Sequence, residues 1–134
     1  MTRYDDVSEG DELPTIERPL TRDEVRAYAR AAGIYFPRFT DDEGARGEGL
    51  PGMITPGNMS MGLIATLVER WAGAGSLRRL GTTFRGLVLP GETIRMCGTV
   101  TQRDDAARTV EVDVWLEGAE GDRLVIGTAT VALA

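Results

Sequence analysis

The stretch Met53 to Gly73, MITPGNMSMGLIATLVERWAG, decides how the rest of the chain must fold. It reads as one long helix with a defined start and end. Thr55 is the expected N-cap, Pro56 fits the first helical position, and Gly73 can take the left-handed cap at the far end. Between them Met59, Met61, Leu63, Ile64, Leu67, Val68 and Trp71 point in nearly every direction, and a helix apolar all round has to be covered on most sides. The run is too short, and too interrupted by Asn58, Ser60, Glu69 and Arg70, to span a membrane. Its cover must therefore come from the same chain.

The residues after Ser76 supply that cover. Leu80, Thr82 and Phe84 alternate with Arg79, Gly81 and Arg85. Ile94, Met96, Gly98 and Val100 alternate with Thr93, Arg95, Cys97 and Thr99. Val110, Val112, Val114 and Leu116 stand opposite Glu111, Asp113 and Trp115, and Leu124 to Leu133 makes a last strand. Turns are expected at Leu89-Pro90-Gly91-Glu92, at Arg103-Asp104-Asp105 and at Glu120-Gly121-Asp122. Period-two alternation with short turns predicts an antiparallel meander with one face on a core. Cys97 and Trp115 fall on its outer phase; an outward Trp points to a dimer contact or to a side chain half-covered by a loop.

Upstream, Met1 to Gly10 is polar and acidic and reads as a loose start. Leu13 to Leu20 can form a short strand that Pro14 and Pro19 confine to an edge. Thr21 and Glu24 make a capping box for a helix from Arg22 to Ala32, ended by Gly33, with Val25, Tyr28, Ala29 and Ala32 on its buried face. Ile34 to Gly52 reads as a long loop with one helical turn at Asp41 to Ala45, and ordered loops of that length are often functional. The whole is an α+β layer architecture, an antiparallel sheet of about five strands wrapped around a long central helix, in one domain spanning 1–134.

Composition narrows the chemistry. The 134 residues carry a net charge of -6, so a nucleic-acid partner, which needs a basic field, is not expected. All 15 basic residues are Arg and His is absent, which removes a Schiff-base lysine and the commonest general base and nitrogen metal ligand. The single Cys97 forbids an intrachain disulfide and a thiolate metal cluster. No metal and no cofactor are expected. With no apolar leader and no long apolar run, a cytoplasmic protein without membrane contact is the expectation.

The order of short motifs carries a resemblance. Gly33 to Asp41, Ala45-Arg46, Gly52-Met53-Ile54, Pro56-Gly57 through Leu63, Trp71-Ala72-Gly73, Phe84-Arg85-Gly86 and Leu89-Pro90-Gly91-Glu92-Thr93 resemble the MaoC-like (R)-specific enoyl-thioester hydratases and dehydratases. Val7 to Pro14 and Pro19-Leu20-Thr21 look like the same family's first strand and helix. The similarity covers nearly the whole chain. It implies a hot-dog fold, and the chain is especially similar to single hot-dog subunits of heteromeric acyl-CoA hydratases. Such enzymes add water across an enoyl thioester with an Asp and a His five positions apart before the central helix, while N–H groups near the helix start hold the thioester oxygen. Registering Gly33, Pro37 and Asp41 on that motif puts Ile34 at the Asp position and Phe39 at the His position, with Phe36 replacing a usual Asn. The resemblance therefore implies an acyl-thioester-binding chain that lacks the usual dyad.

The remaining candidates carry bland readings beside the functional ones. Asp41 and Tyr35 are the catalytic candidates, but Asp41 also suits a helix cap and Tyr35 a pocket wall. Ile34, Phe36, Phe39, Thr55, Gly57 and Asn58 are the expected substrate-binding residues, with Gly52 and Gly57 giving backbone a close approach. Arg38 is expected to pair with Asp41 or Asp42. Arg78, Arg79 and Arg85 suit either CoA phosphates or a solvated strand face. Three functions remain open: an acyl-thioester-binding subunit paired as a homodimer or heterodimer with another hot-dog chain; a repurposed lyase, isomerase or cyclase with an apolar pocket; and a thioesterase built on Glu69.

Overall fold

The computed structural model describes residues 2–134. Five strands form one antiparallel sheet: β1 (Ile16–Leu20), β2 (Leu77–Phe84), β3 (Glu92–Asp104), β4 (Thr109–Glu117) and β5 (Arg123–Ala132), in the order β1-β3-β4-β5-β2. Four helices are inserted: α1 (Arg22–Ala31), α2 (Pro37–Thr40), α3 (Asp42–Gly47) and α4 (Gly57–Ala72). The sheet wraps α4, the α+β hot-dog arrangement. No helix among the described residues is long and apolar enough to cross a membrane.

The core is the alternation made physical. Ile94, Met96 and Val100 from β3, Val110, Val112, Val114 and Leu116 from β4, and Val125, Ala129 and Val131 from β5 are all buried. Ile64, Leu67, Val68 and Ala72 of α4 pack against them. Because successive side chains of a strand point to opposite faces, only this phase can meet the helix.

The helix is covered on most sides but not on all of them. Ser60, Ile64, Leu67, Val68 and Ala72 are buried, Met59, Met61, Leu63 and Trp71 are half-buried beside them, and Asn58, Gly62, Thr66, Glu69 and Arg70 lie on one open stripe. Small and polar residues at positions 58, 62, 66 and 69 fall on one side of a 3.6-residue repeat, so the helix is amphipathic despite its apolar count. Its start also differs from expectation: Pro56 is the N-cap, at φ -58 and ψ 141, and Gly57 is the first helical residue. Gly73 ends it at φ 104, a conformation that favours glycine.

The capping box forms as read: Thr21 Oγ1 accepts the Glu24 N–H at 3.1 Å, and Glu24 accepts the Thr21 N–H at 2.8 Å. That amide is the main reason the Glu24 carboxyl is held below its usual range, ahead of the nearby Arg18 guanidinium. Ala32 is the C-cap and exposed, so α1 buries Val25 and Ala29 with Tyr28 half-buried.

Three other expectations change. Met1 lies outside the described residues, but the rest of the opening segment is not loose. Tyr4 is buried beneath the Arg103 and Arg108 guanidinium groups, 4.3 and 5.0 Å from its ring centre, and its N–H donates to Ala134 O at 2.9 Å. β3 runs on to Asp104 through a bulge between Val100 and Gln102, so the turn moves to residues 105–108, where Arg108 takes φ 54. The loop from 34 to 52 condenses into α2 and α3 rather than one turn.

On the outer face, Trp115 is half-buried: Arg123 sits 3.9 Å over its ring and its Nε1–H donates to Glu117 at 2.8 Å. Its cover is intrachain. Cys97 is opposite Trp115 in register and is itself buried, which pushes its thiol up; Thr15 and Glu117 lie beside the sulfur.

Candidate functional site

The start of α4 is held by three separate segments. Ile54 N–H donates to Arg38 O of α2 at 2.8 Å, and Thr55 N–H donates to Val88 O at 2.8 Å. Asp42, the first residue of α3, is the third support. Its Oδ1 accepts the Met53 N–H at 2.9 Å and its Oδ2 accepts from Arg22 Nε of α1 at 3.1 Å. The Met53 amide and then Arg22 hold the Asp42 carboxyl below its ordinary range against the opposing effect of burial. One carboxylate thus ties α1, α3 and the approach to α4 together.

This support leaves the helix start itself unclaimed. Pro56 O accepts the N–H groups of Met59 and Ser60 at 3.0 and 3.2 Å. A proline N-cap has no side-chain oxygen to cap with, and none bonds here. Among the described residues nothing accepts from the N–H of Gly57 or Asn58. Those donors carry the positive end of a 16-residue helix. Beside them Thr55 is 7% exposed, and its Oγ1 is, among the described residues, the buried side-chain polar atom without a partner. The arrangement is suited to an anionic or carbonyl oxygen.

Exposed apolar side chains occur near the segments that hold the helix start. Tyr35 (48% exposed), Phe36 (54%), Phe84 (51%) and Leu87 (44%) are the exposed large apolar side chains. Tyr35 and Phe36 directly precede α2, whose Arg38 holds Ile54. Leu87 precedes Val88, which holds Thr55. Phe84 reaches Gly57 directly: a Cβ placed on that glycine would lie 2.9 Å from Phe84 Cζ. These exposed apolar side chains therefore lie in or beside segments bonded to the approach to α4, and Phe84 touches its first residue.

Ile34 and Phe39 are half-buried, while Phe36 and Asn58 are exposed and Gly57 is partly covered. Asp41 is engaged as a cap, its Oδ2 accepting the Gly44 N–H at 2.9 Å. Tyr35 lies under Arg30, 4.8 Å from ring centre to guanidinium. Arg38 pairs with Glu48 at 3.2 Å rather than with Asp41 or Asp42, because Asp42 is turned toward Arg22. Glu69 is on the open stripe of α4. Arg78, Arg79 and Arg85 are exposed.

Three residues were missed as site members. Asp42 reads as one acid among several; only the fold shows what it holds. Leu87 sits in a loop with no periodicity. Phe84 did carry a signal, since it is in the inward phase at the very end of a strand. Two cavities lie apart from the helix start. One of about 240 Å³ is lined by Arg22, Asp42, Arg46, Gly52, Met53 and Gly91, and one of about 550 Å³ lies on the outer sheet face around Thr83, Asp113, Trp115 and Thr128.

Known proteins share this fold. The family described as MaoC like domain matches residues 7–120. A solved MaoC-like dehydratase is 30% identical and superposes with a TM-score of 0.92, covering 98% of this chain and 42% of its own. The ChsH1-ChsH2 complex from Mycobacterium tuberculosis is 20% identical with a TM-score of 0.85, covering 95% of this chain and 98% of that one. Among curated proteins, the fatty acid synthase beta subunit TOXC of Cochliobolus carbonum is 37% identical over 73 residues, 52% of this chain. The chain spans only 4% of that relative's length.

Proposed function

The chain belongs to the MaoC-like domain family, and on that premise we propose that it is an acyl-thioester-binding subunit that pairs with a second hot-dog chain. The observation that carries the proposal is the helix start: free N–H groups at Gly57 and Asn58, an unpartnered Thr55 hydroxyl, and the half-exposed ring of Phe84 against Gly57. A thioester has the matching shape, one polarised carbonyl oxygen on an otherwise apolar chain. The carbonyl accepts from the helix start, and the acyl group lies along Ile34, Phe36 and Phe39.

Such binding polarises a thioester but does not hydrate it. Adding water needs a group to deprotonate the water and one to deliver a proton to the α-carbon. With no His in the chain and Asp41 committed to capping α3, the acid–base pair comes from the partner. The likeness to one chain of the ChsH1-ChsH2 complex supports a two-chain assembly.

The two free sheet edges suggest where the partner joins. β1 is five residues long, contains Pro19, and is flanked by the Arg18–Glu24 and Glu17–Arg95 ion pairs. Short length, proline and charge are the devices that blunt an edge. β2 is eight residues long with no proline, and among the described residues Arg78, Arg79 and Arg85 pair with no carboxylate. These differences favour β2, beside Phe84 and Leu87, as the partner's edge. Co-expression with a hot-dog chain that bears an intact Asp and His, encoded beside this one, tests the assignment. A stable two-chain complex with hydratase activity, weakened by Arg79→Glu, is the expected outcome. A complex with activity equal to that of the partner alone would refute the proposed role.

A further inference from the structure

Phe84 stands in an unusual position for a large apolar side chain. It registers with Val125, which is fully buried, so its phase points toward the core. Yet it is 51% exposed, because β2 ends there and only the tip of the ring finds cover. That cover is Gly57. A Cβ on Gly57 would meet Cζ at 2.9 Å, Cε1 at 3.2 Å and Cε2 at 3.3 Å, all three atoms of the ring's far end.

The backbone gives Gly57 no other reason to be glycine. It is a helical residue and is not among the glycines with positive φ. A helix would accept alanine there more readily than glycine. The missing Cβ is what lets the ring seat against the first turn of α4. The same residue offers a free N–H, so the ring packs against the residue that carries the donor.

Resting on the reading of this helix start as a thioester site, we propose that Phe84 is a specificity-determining residue that selects acyl groups by their substitution at the carbon next to the thioester carbonyl. A carbonyl oxygen accepting from the Gly57 or Asn58 N–H brings that carbon alongside the ring. An unbranched, planar enoyl chain lies against the exposed part of the ring. A methyl branch at that carbon meets the exposed edge of the ring, which cannot retreat because its tip is seated on Gly57. The ring is held at both ends, by β2 through its backbone and by Gly57 at its tip.

Calorimetric titration of the purified chain with crotonyl-CoA and 2-methylcrotonyl-CoA tests this. The wild type is expected to bind the unbranched thioester about 10-fold more tightly or better, the scale of one misplaced methyl group in a fitted pocket. Phe84→Ala is expected to bring the two affinities to within about 2-fold, with Phe84→Leu between. Thermal melts test the seat separately: Gly57→Ala lowers the midpoint, and Gly57→Ala with Phe84→Ala recovers most of that loss. An unchanged affinity ratio in Phe84→Ala overturns the selectivity and leaves the site standing. No recovery in the double variant overturns the seat. Failure of the wild type to bind either thioester overturns the site and this inference together.

Discussion

Replacing Thr55 with Val should stabilise the protein while impairing it. The side chains have the same shape, but Val carries a methyl where Thr carries the hydroxyl that is buried without a partner. An unsatisfied buried polar atom costs about 1–3 kcal/mol, so removing it recovers roughly 1–2 kcal/mol once imperfect repacking is allowed for. Unfolding entropy scales to about 0.28 kcal/mol/K for a domain of this size, so the midpoint should rise by about 4–7 °C. Thr55→Ser is the control: it keeps the hydroxyl, loses a methyl group, and should melt lower by a few degrees while keeping ligand affinity. Differential scanning calorimetry gives the stabilities, and titration with crotonyl-CoA gives the affinities. A lower midpoint for Thr55→Val would mean that the hydroxyl is bonded within the fold and is not reserved for a ligand. A higher midpoint with unchanged affinity would separate Thr55 from the site.

Two further expectations concern the scaffold. Ile64→Ala, at a fully buried position of α4, should cost about 2–5 kcal/mol in urea unfolding, while Thr66→Ala on the open stripe should stay within about 0.5 kcal/mol; equal effects would refute the open stripe on the helix. Asp42 has its carboxyl pKa lowered by the Met53 amide and Arg22, so its stabilisation is present above the ordinary carboxylate range and is lost as pH falls through the lowered value. Melting curves across the acid range should therefore show Asp42→Asn less stable than wild type near neutrality, with the gap closing in acid; a gap that widens on acidification would contradict that role.

Much of the fold was legible because strong patterns met no competitor. Val110 to Leu116 alternates without a break, and β4 buries all four inward residues as read. The Thr21–Glu24 capping box is local, so no tertiary contact could override it. What failed was long-range. Nothing local marks Tyr4 as the apolar plug between two arginines a hundred residues away, or Asp42 as the tie between α1 and Met53. The bulge after Val100 shifts the turn because one extra residue resets the alternation, and composition does not announce it. The helix start was half-legible. Pro56-Gly57 marked the place, but giving Thr55 the cap assigned its hydroxyl to the helix. The proline took the cap position, and the hydroxyl was left over. In the sequence Gly57 reads as room for a ligand; in the fold the ring of Phe84 packs against it.

The most direct measurement exposes the isolated chain to crotonyl-CoA and longer enoyl-CoA thioesters, following binding by calorimetry and hydration by loss of the enoyl chromophore in the same samples. Each acid–base group contributes on the order of 10²–10⁴-fold to such a reaction, so a chain without either should bind saturably and turn over at no meaningful rate. Binding that weakens in Thr55→Val, with hydration indistinguishable from the buffer blank, is the expected result. Rapid hydration by the purified chain alone, or no binding at any acyl length, would contradict it.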